Sequence, residues 1–337
     1  MNSVQTEEKM YRAEGVRRKA LDGKILAAFA TILALGVFGT AQEMNQHHVD
    51  DADAMSANPE TIQDWAKNRL AKSPRHREWV KVKNGNREVN SFIVYPEVNK
   101  KATAVVVIHE IFGMSDWVQE LTDELAEAGY IAIAPDLLSG MGPKGGGSSE
   151  FDSNSVRQAI NRLPPDQITA DLNAVADYVS KLPAANGSVA VAGFCWGGSQ
   201  SFSFATNRPG LKAAFVFYGT APMTRDNAVD KAALEKIKAS VYGFYAGNDM
   251  RVDATVPATT DAMKELKKLY EPVTYEGAGH GFMRAGEPDA PEPNAKGDEA
   301  ADKKVAEDYP KLLAAYKANR KARDDAWVRW KEILKKL

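Results

Sequence analysis

An α/β fold with a mostly parallel central sheet flanked by helices is what this sequence predicts, on three observations. Continuous apolar runs, "ATAVVVIHE" among them, have the pattern of parallel strands covered on both faces. Segments of helical periodicity, such as "DWVQELTDELAEAGY", alternate with them. Side chains able to do chemistry recur where strands end, and in such a sheet working residues stand beyond the carboxyl ends of strands.

The elements follow in order. "EWVKVKNGNREVNSFIVYP", from Glu78, alternates in polarity around Asn84-Gly85 and reads as a β-hairpin. "ATAVVVIHE" is a buried strand, and the helix after it stops at Gly129. "YIAIAPDLLSG" is the next strand. The stretch "GMGPKGGGSSEF" after it has too many glycines for regular structure and reads as a surface excursion near the site. It lacks the Gly-Lys-Ser/Thr ending of a phosphate-binding loop. Helices are expected around Ser155–Arg162 and Pro165–Lys181, then the strand "SVAVAGF" and a helix over Gly198–Thr206. The strands "KAAFVFYG" and "SVYGFYAGND", a helix around Pro257–Leu269, the strand "PVTYEGAGH" and C-terminal helices complete the order. A Pro-rich acidic insert, Gly286–Ala300, precedes those last helices.

The N-terminus is expected to lie outside the fold. Arg17, Arg18, Lys19 and Lys24 precede the apolar run Ile25–Phe38, which small residues follow. That order is the pattern of a secretory signal. Ile25–Ala41 is also at the lower edge of what spans a bilayer, so an uncleaved membrane anchor is the alternative. The expected division is therefore 1–41 signal or anchor, 42–77 linker and N-terminal segment, and 78–337 catalytic domain. Either reading of 1–41 puts the domain outside the cytoplasm, exported to the periplasm or secreted. A formal charge of -2 over 337 residues gives no basic surface for nucleic acid. Cys195 is the only cysteine, which excludes an intrachain disulfide and a thiolate metal cluster. No metal and no cofactor is expected.

Four strand ends carry the chemistry. "GFCWGG" sets Cys195 between Gly193 and Gly197 on a strand-to-helix turn, the form of a nucleophile elbow. The helix that follows turns its positive end toward the sulfur, which favours thiolate. His280 in "GAGHGF" and Asp249 in "YAGNDMRV" follow in the chain order nucleophile, acid, histidine. A carboxylate at Asp249 would fix the imidazole tautomer and stabilise its charged form, with Asp253 a nearby competitor. Glu110 in "HEIFG" ends a central strand beside the expected oxyanion hole, for which the N–H groups of Ile111 and Trp196 are the natural pair. Glu110 could take the thiol proton, yet its charge would repel the anion formed, and Arg284 is a candidate counter-ion. His109 is expected to hydrogen-bond locally. Trp117, Trp196 and Tyr218 could line a sugar pocket, although aromatic residues in such a fold are usually core.

"HEIFG", "GFCWGG", "AGND" and "AGHGFMR", in this order, closely resemble the dienelactone hydrolase family, over about Glu78 to Arg284. The resemblance implies an α/β-hydrolase fold and a Cys-His-Asp triad at Cys195, His280 and Asp249. It implies that Glu110 rests paired with an arginine, matching Arg284, and receives the thiol proton when substrate arrives. It also implies a second arginine for a substrate carboxylate, for which Arg157 is the choice and Arg162 the alternative. The substrate so implied is a small-molecule ester or lactone, cleaved through a thioester. Two other readings use the same residues: a general carboxylesterase or thioesterase on this fold, and an exported binding protein without activity. An export segment and the stretches Gly140–Ser149 and Gly286–Ala300 depart from the family's best-known members.

Overall fold

The computed structural model describes residues 59–285 and 299–337, with side chains described over 64–285 and 307–337. The expected signal or anchor, the linker Gln42–Ala57 and most of the Pro-rich insert lie outside the described residues. Eight strands form one sheet: β1 (Arg77–Asn84), β2 (Arg87–Val94), β3 (Ala102–Ile108), β4 (Ile131–Pro135), β5 (Ala185–Phe194), β6 (Ala213–Phe217), β7 (Ser240–Ala246) and β8 (Tyr270–Tyr275). Their spatial order is β1-β2-β4-β3-β5-β6-β7-β8. The pairs β1–β2 and β2–β4 are antiparallel, and every other pair is parallel.

The helices are α1 (Pro59–Lys72), α2 (Asp116–Glu127), α3 (Ser153–Asn161), α4 (Pro165–Ser180), α5 (Trp196–Asn207), α6 (Lys231–Glu235), α7 (Met250–Asp253), α8 (Val256–Glu265) and α9 (Glu299–Leu334). Side chains alternate across the pleat, so the apolar strands feed two cores. Val106, Ile133, Val191 and Val216 point to one face, where they meet Ile160, Leu172, Val175 and Phe202 from α3, α4 and α5. Val105, Val107, Phe194, Phe215 and Phe217 point to the other, against Trp117 and Leu121 of α2 and Trp330 of α9. Trp330 is fully buried, its ring 4.9 Å from Phe217 and 5.9 Å from Phe194.

Several expectations change in detail. Asn84 pairs with Arg87, so the hairpin turn is Gly85-Asn86, one residue later than read, with Gly85 at φ +59°. α5 starts at Trp196 rather than Gly198. One long helix replaces the expected C-terminal helices and passes through Pro310. The glycine-rich stretch contains a 3-10 turn, Ser148–Glu150, and its Ser148 is buried. Helix α1 lies in the stretch read as linker and N-terminal segment. It docks on α2 through its buried Ala66 and through Arg69, whose Nε is 3.2 Å from Glu120 Oε1. Arg75 adds a bond to Asp123 at 2.6 Å, and Arg323 of α9 reaches Glu124 at 2.9 Å. No described helix is long and apolar enough to cross a membrane.

Candidate active site

The site is built where β3, β5, β7 and β8 end. β5 delivers Cys195 through a sharp turn in which the cysteine adopts φ 56° and ψ -119°, a conformation an L-residue rarely takes. The turn exists because its neighbours have no Cβ: one on Gly193 would fall on the Gly197 carbonyl, and one on Gly197 would fall on the carbonyls ending β3. Cys195 N–H donates to the Phe217 carbonyl at 3.0 Å, which ties the elbow to β6. The sulfur is half-buried at the head of α5, whose backbone dipole points its positive end at it.

His280 comes from the loop after β8. Its Nδ1–H donates to Asp249 Oδ2 at 2.5 Å. Burial alone would lower the imidazole pKa. The charge of Cys195 and the hydrogen bond to Asp249 outweigh it and raise the group to about 10. Burial alone would lift Asp249, but the bond from His280 wins and holds that carboxyl below its ordinary range. Asp249 also caps α7, its side chain accepting from Val252 N–H at 3.4 Å. Asp253, the competitor, accepts from Thr274 at 2.9 Å instead. From α9, Asn319 accepts the Gly279 N–H at 2.7 Å and pins the loop one residue before the histidine.

Glu110, 2% exposed, faces Arg284, whose Nε is 3.0 Å from Oε2. Arg284 lies on a 3-10 turn (Phe282–Arg284), reached through Gly281 at φ +77°. Arg157 is brought to the same place. Its guanidinium carbon lies 5.0 Å from the centre of the Phe112 ring, and that of Arg284 lies 5.3 Å from it. One aromatic ring therefore supports both cations. Arg162, the alternative, ends α3 in an exposed position.

Ile111, in the loop after β3, and Trp196, the first residue of α5, are both half-buried. His109 is fully buried: Nδ1–H donates to the neighbouring Glu110 carbonyl at 2.7 Å, the local bond expected, while Nε2 accepts from the distant Leu137 N–H at 3.4 Å. Its ring stacks on Trp196. Burial lowers its pKa, consistent with a neutral ring.

Two residues of this site were not assigned to it from sequence. Phe112, next to Glu110 and Ile111, carries no signal beyond its place in "HEIFG". Tyr218 sits at φ +39° with its ring edge-on to His280, the centroids 5.0 Å apart. Burial and the neighbouring Glu110 charge raise its phenol well above the ordinary range, which keeps a neutral hydroxyl beside the carboxylate. Trp117 is core instead, edge-on to Phe194, so the three aromatics do not form one sugar pocket. Among the described residues no three His, Cys, Asp or Glu side chains are grouped to hold a metal ion.

The sequence profile described as the dienelactone hydrolase family matches residues 89–337. A "Putative carboxymethylenebutenolidase" of Salmonella typhi is 31% identical over 200 residues, covering 57% of this chain and 72% of that protein. A relative of the same name from Saccharolobus solfataricus is 28% identical over 286 residues, covering 74% of this chain and 95% of that protein. Among solved structures, a dienelactone hydrolase-like promiscuous phosphotriesterase from metagenomic libraries is similar with a TM-score of 0.54. It is 24% identical, with 72% of this chain and 98% of that chain covered, a likeness of fold. On these matches and on the sheet described above, the chain has an α/β-hydrolase fold and belongs to the dienelactone hydrolase family, hydrolases acting on the lactone or ester bonds of small molecules.

Proposed function

We propose that this enzyme opens a carboxylate-bearing lactone or small ester by nucleophilic attack from Cys195, with His280 and Asp249 completing a triad. The observation that carries this is the Arg284–Glu110 ion pair beside the elbow, with Arg157 held on the same Phe112 ring. At rest Arg284 occupies Glu110. An incoming carboxylate competes for Arg284 and Arg157 by charge-assisted hydrogen bonds. Glu110, released, takes the proton from Cys195 Sγ. The thiolate adds to the carbonyl carbon, and the oxyanion is received by the N–H groups of Ile111 and Trp196. Collapse breaks the C–O bond, and the leaving oxygen takes a proton from His280.

The raised His280 pKa supports the second half of the cycle. Acylation removes the Cys195 charge, the largest of the influences that raise it, so the pKa drops as the thioester forms. The imidazole then accepts a proton from water, which attacks the thioester; Cys195 leaves as thiolate and takes back the proton held by Glu110, which pairs again with Arg284. Asp249 holds the ring with Nε2 toward the sulfur throughout.

The test is hydrolysis of cis- and trans-dienelactone, p-nitrophenyl acetate and a neutral lactone by wild type and Cys195→Ser. Preference for the carboxylate-bearing lactones, lost in the variant, supports the proposal. Activity on neutral esters alone would keep the triad and reject the arginine-bound carboxylate in favour of a general esterase. We also infer export, supported by the basic residues before the apolar run Ile25–Phe38. Recovery of the activity only in the cytoplasmic fraction would contradict that.

A further inference from the structure

The glycine-rich stretch after β4 makes a specific connection. Ser148 Oγ accepts the Met114 N–H at 2.9 Å. The same hydroxyl donates to Asp136 Oδ2 at 3.1 Å, and Ser148 N–H donates to that oxygen at 2.7 Å. Asp136 is buried at the end of β4, where its other oxygen accepts from Leu138 N–H at 3.0 Å. Gly113, at φ +72°, packs so close to Ser148 that a Cβ there would overlap the serine side chain. One end of the loop Glu110–Met114 is thus tied to the turn after β4.

The other end is tied to the same turn. Leu137 N–H reaches His109 Nε2, and His109 Nδ1–H holds the Glu110 carbonyl, which also accepts from Gly113 N–H at 3.2 Å. In a trans peptide the carbonyl and the next N–H point in opposite directions. Fixing the Glu110 oxygen therefore fixes the direction of the Ile111 N–H.

We propose that residues 136–148 act as a strap that orients the Ile111 N–H for the oxyanion, with Ser148 and His109 as its positioning residues. This rests on the reading of Cys195 as nucleophile and Ile111 as oxyanion donor. Neither Ser148 nor His109 touches substrate. Each acts through the peptide between Glu110 and Met114, and the glycines before Ser148 let the chain return to reach it.

Two reactions of one sulfur separate this role from general support of the fold. Thioester formation from p-nitrophenyl acetate builds charge on the carbonyl oxygen and needs the oxyanion donors. Alkylation by iodoacetamide forms an S–C bond as iodide leaves, and no oxyanion develops. Ser148→Ala should slow the p-nitrophenolate burst about tenfold or more, toward the loss of an oxyanion donor itself, with the alkylation rate of Cys195 within about twofold of wild type. Ser148→Thr, which keeps the hydroxyl, should recover most of the burst rate. His109→Phe, which keeps the stack on Trp196 and removes the donor, should repeat the Ser148→Ala signature and reads the strap even if that variant folds poorly. An unchanged burst in both alanine and phenylalanine variants, or parallel loss of burst and alkylation in both, would overturn the proposal. Failure of the nucleophile reading looks different: alkylated wild type would keep its esterase activity.

Discussion

Arg284, four residues beyond the histidine that bonds Asp249, forms an ion pair with the buried Glu110, Nε to Oε2 3.0 Å. In the proposed mechanism this one cation has two tasks, neutralising Glu110 at rest and receiving a substrate carboxylate. Arg284→Met should therefore reduce kcat/KM for a carboxylate-bearing lactone more than for p-nitrophenyl acetate. The loss on the lactone should be about 10- to 100-fold, the value of a hydrogen bond to a charged group. Glu110→Gln in the same background should not return the neutral-ester activity, since the group that takes the thiol proton is then gone. Steady-state kinetics on both substrates checks this, and equal losses on the two would contradict it.

Asp249→Asn should lower kcat by about 10²- to 10⁴-fold, as expected when the imidazole loses the partner that sets its tautomer. The substitution also removes two of the influences that raise the His280 pKa, the hydrogen bond and the charge of Asp249, while burial continues to lower it. The imidazole should titrate below its wild-type value of about 10. An NMR titration of the His280 ring reads this directly. A value at or above that of wild type would mean that Asp249 does not control the ring.

Beneath α1, Glu120 is a buried carboxyl whose pKa is raised from 4.5 to about 8 by burial and by the neighbouring Glu124. Between those values the unfolded chain has lost the proton and the native chain keeps it. Stability therefore falls as pH rises from about 4.5 to about 8 and levels off above. Glu120→Gln should remove this slope, so that stability at pH 8 rises relative to that at pH 5. Urea unfolding at pH 5 and pH 8 tests it, and an unchanged difference between the two would reject the assignment.

The sequence made the line of the chain through the site legible, because backbone constraints there leave local marks. An elbow needs glycines at fixed offsets, and the Cys195, Asp249, His280 order follows from strands that end on one edge. Apolar runs buried on both faces marked the parallel strands for the same reason. The partners that cross between elements left no such mark. Ser148 reads as a residue of a glycine-rich loop until the loop is seen to fold back on Met114. Phe112 reads as one aromatic residue among many until two arginines meet over its ring. Helix α1 is polar enough to pass for linker, since much of its docking comes from Arg69 against acids on α2 that lie some fifty residues later. Arg157 was reached by likeness to the family, and its place near Arg284 depends on the packing of α3.

The central claim is that Cys195 carries the acyl group. Wild type mixed with p-nitrophenyl acetate, quenched in acid during the burst and digested, should yield a peptide acetylated at Cys195. Hydroxylamine should remove that group, as it does from a thioester, and Cys195→Ala should show neither the adduct nor the burst. An acetyl group on another residue, or full esterase activity in Cys195→Ala, would contradict the account.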